Sequence, residues 1–567
     1  MKNDKALHVK IEFPTVREMI RQCADMYGDK PAYSYRIKPS DKDPVIKSYN
    51  DLKDDVSALA TELIARGYQG KHVCLIGKLS YSWVLTYYAT MSIGSVLIPL
   101  DRDWQTADLA DTVKKADTDL LIVDSDIAEK GRAICEAVGL STLIYIKDDG
   151  EDSLSALIDA GREKVKGGDD SLSAAPIDPK AMALLVFTSG TTGKGKGVML
   201  SQKNILSDMA EVIPFIDFSV KCMAVLPPHH TYGSSVSILG QNSIGCHIYI
   251  SSGIRYVSKE LSLEKPGHIC AVPLYLETFY RKLTAGIKDS GKESLVRFLM
   301  KLSNGLRKIG IDLRKPLFKS VLKSFGGELN MLISGGAPIN QEIIDTFDAL
   351  GINVLNGYGI TECAPIIAVN HNYFKVAGSV GPILPIDEVK IVDPNEDGEG
   401  EIYVRGSNVM LGYYKDEETT REAFDEEGFF KTGDYGKVER IKNADVLFIT
   451  GRKKNLIILS NGKNVYPEEI ENELMATPGL LEIVVYEGKS KKGDMYNAIV
   501  AEIYPDYDFM KKNGVEDVEK YLQGYVNNYN KTAVPYKKIA VLKVREEEFP
   551  KNTLRKILRF KLDMSID

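Results

Sequence analysis

A glycine-rich segment between two apolar runs contains the residue types that bind a phosphate group. The apolar runs, Leu184 to Phe187 and Val198 to Leu200, are typical of buried strands. Backbone N–H groups and hydroxyls can surround an anion, and lysines can balance its charge. The sequence therefore predicts a phosphate-binding loop made of Thr188, Ser189, Gly190, Thr191, Thr192, Gly193, Lys194, Gly195 and Lys196.

The same segment departs at one position from the P-loop of kinases and related NTPases. Residues 190–196 fit the first seven positions of the pattern G-x-x-x-x-G-K-[ST], but Gly197 stands where a magnesium-binding hydroxyl is required. The residues that follow, Val198-Met199-Leu200, favour a strand over a helix. A P-loop kinase is therefore disfavoured, and a glycine-rich surface hairpin without a ligand is the simplest alternative.

Three later segments also join turn residues to groups that can bind ligands. His229 and His230 follow a predicted strand at 225–228. If the strand included them, they would point to opposite faces, and packing and surface roles are favoured over a metal site because no Cys or Asp is adjacent. Leu332–Pro338 is predicted as a strand that leads into a glycine turn. In Val354–Glu362, tight glycine spacing beside Thr361 and Glu362 indicates a flat ligand face, a phosphate contact and a hard-cation ligand.

The elements that must position these groups indicate more than one domain, because 567 residues are too many for a single core. Helix and strand patterns alternate from 15 to 150, which predicts a mainly parallel sheet with helices on both faces. The polar segment 150–180 is predicted as a loop. Short alternating runs at 386–450 predict a small antiparallel unit, and a compact α+β unit follows a boundary near Gly451–Lys454.

Composition narrows the class of protein. Apolar content of 44%, charged content of 27% and a net charge of −7 are ordinary for a globular protein and argue against binding nucleic acid through positive charge. The seven cysteines are scattered, without the spacing of a zinc or redox motif, so a reducing cytoplasm is expected. The N-terminus has no apolar signal-peptide core, and the apolar stretch 83–100 predicts a buried helix followed by a strand.

The segment 281–323 has a different charge from the rest of the chain. It contains twelve Lys and Arg against three Asp and Glu, within an acidic protein. Apolar residues at helical spacing run through it: Leu295, Phe298, Leu299, Leu302, Leu306 and Ile309. Two interpretations are open, a solvated helical hairpin packed by this stripe or a surface for anionic lipid.

The motifs together resemble the AMP-forming adenylating enzymes, which include acyl-CoA synthetases, luciferases and the adenylation domains of peptide synthetases. The resemblance covers residues 15 to 562. It rests on six motifs in family order, FTSGTTGKGKGVMLS, SGGAPI, NGYGITE, KTGD, GRKKN and PKNTLRKILR. SNGKNVYPEEIE at 460–471 and the basic insertion make the chain most similar to bacterial long-chain fatty acid–CoA ligases.

The resemblance implies a two-step reaction that uses ATP, Mg²⁺ and CoA. A carboxylate attacks the α-phosphate of ATP to give acyl-AMP and pyrophosphate, and the thiol of CoA then displaces AMP. The implied fold is α/β, with stacked, mainly parallel sheets and a small β unit in a large domain, residues 1–451. Residues 452–454 would be a hinge, and 455–567 a small mobile α+β domain that carries the catalytic lysine.

Residue roles follow from the resemblance position by position. Lys556, His230, Thr361 and Glu362 are implied in catalysis, with Thr188 and Glu362 as magnesium ligands. His230, Tyr232 and Gly233 would line the acyl pocket and the CoA entrance. ATP would be held by Thr188, Ser189, Gly190, Thr191, Thr192, Gly193, Lys194, Lys196, Gly335, Gly336, Ala337, Asn356, Gly357, Tyr358, Gly359, Thr361, Asp434, Arg452, Lys454 and Lys463.

Two positions depart from the family pattern. Gly195 replaces the usual proline, which should loosen the phosphate loop, and Arg555 replaces the glycine that normally precedes the catalytic lysine. Neither change removes a reacting group.

Alternatives to a fatty acid–CoA ligase differ in substrate, acceptor or activity. An amino acid substrate is disfavoured because residues 229–235, HHTYGSS, contain no acid to pair with its ammonium group. A separate acyl carrier protein could replace CoA, since both present the same thiol arm. A non-catalytic nucleotide-binding protein is a third alternative. The expected location is the cytoplasm, with peripheral membrane contact through the basic insertion.

Overall fold

The computed structural model describes residues 7–146, 150–188, 195–459, 464–475, 477–488, 498–551 and 557–566. Two large sheets flanked by helices form most of the molecule, and a five-stranded antiparallel sheet and a three-stranded sheet complete it. This arrangement confirms the predicted α/β fold class with a small β unit.

The first sheet has seven strands and carries the glycine-rich hairpin near one edge. Its spatial order is Gly412–Tyr413, Lys196–Ser201, Met182–Thr188, Val96–Leu100, His72–Ile76, Leu120–Asp124 and Leu143–Ile146. The strands from Met182–Thr188 to Leu143–Ile146 are parallel, and the first two pairs are antiparallel. Parallel strands are buried on both faces, which explains their continuous apolar runs.

The second sheet has eight strands and is parallel except at its edges. Its order is Ile366–Val369, Asn353–Gly359, Met331–Ser334, His268–Ala271, Lys221–Ala224, His247–Ile250, Pro31–Tyr35 and Val45–Ser48. Because carboxyl ends of parallel strands lie at one edge, the turns after Ser334 and near Gly359 are brought together.

The third sheet is antiparallel, as the alternation at 386–450 predicts. Its strands are Gly381–Pro382, Ala444–Arg452, Phe430–Ile441, Gly400–Gly406 and Asp387–Val392. The longest hairpin turns at Lys442 and Asn443, whose φ angles of 47° and 72° are those of a two-residue turn matched to strand twist.

The C-terminal residues form a core of their own. A two-stranded ribbon joins Ile457–Ile458 to Asn464–Val465, and a three-stranded sheet contains Leu480–Gly488, Ala498–Pro505 and Val541–Val544. Apolar side chains from these elements pack with one another, including Val485, Ala501 and Leu522.

Helices cover both large sheets. The α-helices are Val16–Tyr27, Tyr49–Ala65, Tyr81–Ser92, Thr106–Lys115, Ala128–Val138, Leu154–Lys166, Ser171–Ala174, Gln202–Val212, Gln241–Ser243, Val257–Glu264, Pro273–Asp289, Glu293–Arg307, Arg314–Leu317, Lys319–Leu322, Gln341–Leu350, Glu417–Ala423, Pro467–Leu474, Tyr507–Lys512 and Val518–Thr532. Within the described ranges, no helix combines the length and apolar character needed to cross a bilayer.

The predicted loop at 150–180 is wrong, because Leu154–Lys166 is a helix. Ser153 caps it by accepting a hydrogen bond from Ala156 N at 3.1 Å, and Leu154, Leu157 and Ile158 are buried. A Cβ at Gly161 would lie 1.8 Å from the carbonyl oxygen of Ala58, so only glycine permits this helix contact. The short apolar stripe was hidden by the polar residues around it.

The predicted strand at 225–228 is also displaced. The strand is Lys221–Ala224, and both histidines lie in the turn that follows, outside any strand. Tyr232–Gly240 then forms a π-helix, a rare form that is frequently found at functional sites. The prolines at 227 and 228 lack the N–H groups that would extend the strand.

Candidate active site

The glycine-rich hairpin occupies the predicted place in the first sheet. Thr188 faces Lys196 across the antiparallel pair, and the Thr188 hydroxyl donates to the Lys196 carbonyl at 3.5 Å. A Cβ at Gly197 would approach the side chains of Leu185 and Phe187 to 3.0 and 3.2 Å, so this glycine serves close packing. Ser189 to Lys194 lie outside the described residues, and their phosphate-binding role stays a prediction.

Glu362 is held beside this hairpin by Tyr413. The Tyr413 hydroxyl donates to Glu362 Oε1 at 3.1 Å, while Lys196 Nζ lies 4.8 Å from the centre of the Tyr413 ring. Burial raises the pKa of the Glu362 carboxyl. Tyr413 thus connects the predicted metal ligand to the predicted phosphate-binding lysine, and the sequence interpretation missed it.

A second buried carboxylate, Asp434, sits between an aromatic hydroxyl and a guanidinium. The Tyr358 hydroxyl donates to Asp434 Oδ2 at 2.7 Å, and Arg452 Nε lies 3.0 Å from Asp434 Oδ1. Asp434 faces Arg452 directly across the antiparallel strands, so the sheet register creates the ion pair. The negative charge of Asp434 is the main cause that raises the pKa of Arg452.

The predicted adenine shelf lies at the carboxyl edge of the second sheet. Ser334 and Asn356 face each other on neighbouring parallel strands, which brings Gly335, Gly336 and Ala337 near Asn356–Gly359. Gly336 has φ of 84°, and a Cβ at Gly359 would lie 1.8 Å from the Pro365 carbonyl oxygen. These glycines therefore permit backbone conformations and contacts that other residues would block.

The loop after Glu362 is fixed by two buried side chains that the sequence interpretation did not select. Asp208 Oδ2 accepts from Ile366 N at 3.1 Å, and Asn408 Nδ2 donates to the Ile366 carbonyl at 3.0 Å. Burial raises the pKa of Asp208 well above its usual range. An acid among the buried apolar residues of helix Gln202–Val212 was the available signal.

His229 and His230 lie together, with ring centroids 4.2 Å apart. Burial lowers both pKa values, that of His229 to about 4, so both rings are neutral at pH 7. His229 Nε2 is 3.7 Å from Asp101 Oδ2. His230 Nε2 is buried and has no hydrogen-bond partner among the described residues, which leaves it available to a ligand.

Tyr232 and Gly233 begin the π-helix next to this turn. The Tyr232 hydroxyl donates to the Ile333 carbonyl at 2.8 Å, and a Cβ at Gly335 would lie 3.4 Å from the Tyr232 ring. A Cβ at Gly233 would lie 2.1 Å from the Pro227 carbonyl oxygen. Tyr232 therefore packs behind the shelf, while its acyl-pocket role stays a prediction.

The structure describes only some of the site residues predicted in the C-terminal part of the chain. Lys454 lies in the single turn Lys453–Asn455 that follows Arg452, and desolvation together with the Arg452 charge lowers its pKa. Lys453 Nζ pairs with Glu401 Oε2 at 2.6 Å. Lys463, Arg555 and Lys556 lie outside the described residues, so the loop and catalytic roles stay predictions. Thr361 opens the turn Thr361–Cys363 that carries Glu362.

Comparisons with known proteins agree with this geometry. The AMP-binding enzyme family matches residues 20–414. Long-chain-fatty-acid–CoA ligase 5 of Rattus norvegicus is 27% identical over 552 residues, covering 91% of this chain and 79% of the rat protein. Long-chain-fatty-acid–[acyl-carrier-protein] ligase AEE15, chloroplastic, of Arabidopsis thaliana is 27% identical over 550 residues, covering 84% of this chain and 75% of that protein.

Solved structures share the whole fold. ATP-bound MatB from Rhodopseudomonas palustris has a TM-score of 0.74 at 24% identity, covering 96% of this chain and 97% of that chain. The anthranilate CoA ligase AuaEII in complex with anthranoyl-AMP has a TM-score of 0.76 at 16% identity, covering 97% and 96% of the two chains. The chain therefore belongs to the AMP-binding enzyme family, and the prediction that it is an enzyme of this kind is confirmed.

Proposed function

We propose that this enzyme activates a medium- to long-chain fatty acid with ATP and transfers the acyl group to the thiol of CoA. The observation that carries the proposal is the meeting of two different carboxylate sites beside the glycine-rich hairpin. Asp434 with Arg452 and Tyr358 suits a ribose, and Glu362 beside Tyr413 and Lys196 suits metal-bound phosphates. The names of the fatty-acid ligases that the chain resembles support the substrate class.

In the first half-reaction, a carboxylate oxygen of the acid attacks the α-phosphorus of ATP. The new bond joins the carboxylate oxygen to the α-phosphorus in a mixed carboxylic–phosphoric anhydride, and the bond from the α-phosphorus to the bridging oxygen breaks, so pyrophosphate leaves with the electron pair. Asp434 can accept hydrogen bonds from the ribose hydroxyls, because each of its oxygens has only one partner among the described residues. Lys196 and the hairpin N–H groups would hold the departing phosphates.

The residues present fit a divalent cation such as Mg²⁺. Glu362 is partly buried, its described side-chain partner is a neutral hydroxyl, and burial raises its pKa, so a nearby cation would compensate its charge. The Thr188 hydroxyl would be a second oxygen ligand. When bound, the cation would neutralise charge on the phosphates.

In the second half-reaction, the thiol sulfur attacks the acyl carbon and AMP leaves through its phosphate oxygen. His230 stands where the acyl group and the thiol would enter, with a neutral ring and an unpartnered nitrogen. We propose Lys556 as the residue that bridges the carboxylate and the α-phosphate, and 452–454 as the pivot between the half-reactions. Lys463 would join the site after that rotation.

A carrier protein is the alternative acceptor. The Arabidopsis relative carries an acyl-carrier-protein ligase name, and both acceptors end in the same thiol arm. Offering CoA and purified carrier protein separately to enzyme charged with acyl-AMP would distinguish them.

The decisive experiment measures pyrophosphate release with ATP and a panel of acids from acetate to palmitate. We expect acid-dependent pyrophosphate and AMP, with a preference for the longer chains. No acid-dependent pyrophosphate would contradict the proposal, and ADP as product would indicate a kinase. Lys556→Ala should lose release by orders of magnitude yet still convert preformed acyl-AMP with CoA; equal loss of both half-reactions would refute the role of Lys556.

A further inference from the structure

The helix Glu293–Arg307 exposes an apolar stripe that a globular protein would normally bury. Leu295, Phe298 and Leu302, together with Ile309 in the next turn, are 52%, 61%, 45% and 72% exposed. Their spacing of three and four residues places the helical members on one side. Ile311 and Leu313, also exposed, extend the apolar surface along the chain.

The other side of the same helix is already packed against the protein. Ser303 is fully buried, and Val296, Leu299 and Met300 contact the core that contains Phe347. Arg307 Nη1 pairs with Asp348 Oδ2 at 2.7 Å on the neighbouring helix Gln341–Leu350. The exposed stripe is therefore on the side of the helix that faces away from the protein core, while the opposite side is already packed.

Cations border this stripe on the side away from the protein. Helical spacing places Arg297, Lys301 and Lys308 next to Phe298 and Leu302. Lys301 and Lys308 form no ion pair with any residue that the structure describes, and both are exposed.

The acids of the segment do not offset these lysines. Asp289, Glu293 and Asp312 each pair with another cation, at 3.6, 2.8 and 2.7 Å, through Lys512, Arg297 and Arg314. The charges of Lys301 and Lys308 beside the stripe are therefore left unpaired among the residues that the structure describes, whereas Arg297 is paired with Glu293.

We propose that Leu295, Phe298, Leu302 and Ile309 dock this enzyme on the surface of an anionic lipid bilayer. An apolar stripe bordered by Lys and Arg is the arrangement that places a helix at the headgroup boundary. A second copy of the chain would oppose cations to cations, so charge complementarity favours anionic lipid over self-association. Docking would present the enzyme to fatty acids dissolved in the bilayer, a consequence that rests on the proposed function.

Vesicle co-sedimentation tests the apolar stripe, without ATP or acid, so the result does not depend on catalysis. The probes are vesicles of phosphatidylglycerol mixed with phosphatidylcholine, and vesicles of phosphatidylcholine alone. The triple variant Leu295→Ser, Phe298→Ser, Leu302→Ser should lower the partition coefficient on the mixed vesicles about tenfold or more. The matched control Val9→Ser, Val165→Ser, Val220→Ser removes three exposed valines elsewhere and should bind as the parent does.

Two double lysine variants, one beside the stripe and one outside the segment, test whether the lipid must be anionic. Lys301→Gln with Lys308→Gln should lower partition to the phosphatidylglycerol vesicles about fivefold per lysine, and added salt should reduce the difference. Lys42→Gln with Lys520→Gln changes net charge equally at two exposed lysines outside the segment and should have no effect.

Three outcomes would overturn the proposal. They are a parent protein that stays free of the mixed vesicles, stripe variants that bind as the parent does, and stripe variants whose oligomeric state changes in the absence of lipid, which would identify a self-association face. A circular dichroism spectrum and a thermal midpoint that match the parent's in every variant would show that folding is intact. Neither measurement needs turnover, which keeps this result separate from the proposed function.

Discussion

Asp434 and Glu362, the two carboxylates of the candidate site, differ in whether a protein cation contacts them. Asp434 has a protein cation, Arg452, at 3.0 Å and a tyrosine hydroxyl at 2.7 Å. Glu362 accepts a hydrogen bond from a tyrosine hydroxyl at 3.1 Å, and Lys196 Nζ lies over the ring of that tyrosine. A carboxylate that is compensated within the protein suits a neutral ligand group such as a ribose hydroxyl. One that is left uncompensated suits a bound cation.

Removing the charge at Glu362 should have the largest effect. Glu362→Gln keeps the size and the contact with Tyr413, but it removes the charge that would hold a divalent cation on the phosphates. We expect kcat/KM for ATP to fall about a hundred- to a thousandfold, measured by pyrophosphate release across a magnesium titration. An unchanged magnesium requirement would contradict the assignment of Glu362.

The corresponding change at Asp434 should be smaller and should act on nucleotide binding. Asp434→Asn weakens two charge-assisted hydrogen bonds and leaves the Arg452 charge unpaired, so we expect the KM for ATP to rise about ten- to a hundredfold. Because this carboxylate would not bind metal, the magnesium dependence should match that of the parent. A shifted magnesium dependence in Asp434→Asn would contradict the hypothesis that only Glu362 binds the metal.

The two tyrosines provide a matched pair. Tyr413→Phe removes the donor to Glu362 and should weaken magnesium-dependent activity about fivefold, whereas Tyr358→Phe removes the donor to Asp434 and should raise the KM for ATP by a similar factor. Both assays are run on both variants. Identical profiles would indicate that each hydroxyl serves only general packing.

A further carboxylate, Asp387, should affect stability rather than activity. Burial raises the pKa of Asp387 to about 8, so in the folded protein this carboxyl stays protonated between pH 4 and 8, whereas in the unfolded chain it ionises. The unfolded state then binds fewer protons, and stability from this group falls as pH rises through that window.

Asp387→Asn has no proton to lose, so its thermal midpoint should fall less than that of the parent between pH 5 and pH 8, by a few degrees. Scanning fluorimetry at the two pH values measures the difference. An equal fall in both proteins would show that Asp387 ionises normally.

Much of this site was predictable because strand ends and glycine turns leave strong local patterns. The hairpin 182–201, the turns after Ser334 and near Gly359, and the antiparallel unit around Asp434 lie where the sequence placed them. Asp434 and Arg452 were each predicted to hold ATP, from two separate motifs, and the strand register brings the two side chains into contact.

The remaining features depend on contacts between distant segments. Tyr413 lies in a two-residue edge strand and has no local signal. Asp208 belongs to a helix that the motifs do not include, where its one signal is that of an acid among apolar residues. Cys222, Cys246 and His268 are scattered in sequence, yet their ligand atoms lie within 4.8 Å of one another inside the second sheet. The spacing of residues along the sequence does not reveal that adjacent strands bring them close together.

The pairing of Asp434 with Arg452 also depends on a surface turn at the far end of their hairpin. Two features set the register of their hairpin: the two-residue turn at Lys442 and Asn443, and a bulge at Tyr435 and Gly436 between that turn and the pair. A shift of one residue would send alternate side chains to the opposite face. On the proposed function, an insertion or deletion at the turn would weaken nucleotide binding without altering any residue proposed to touch the ligand. In this hairpin, the number of residues is therefore under as strict a constraint as their identity.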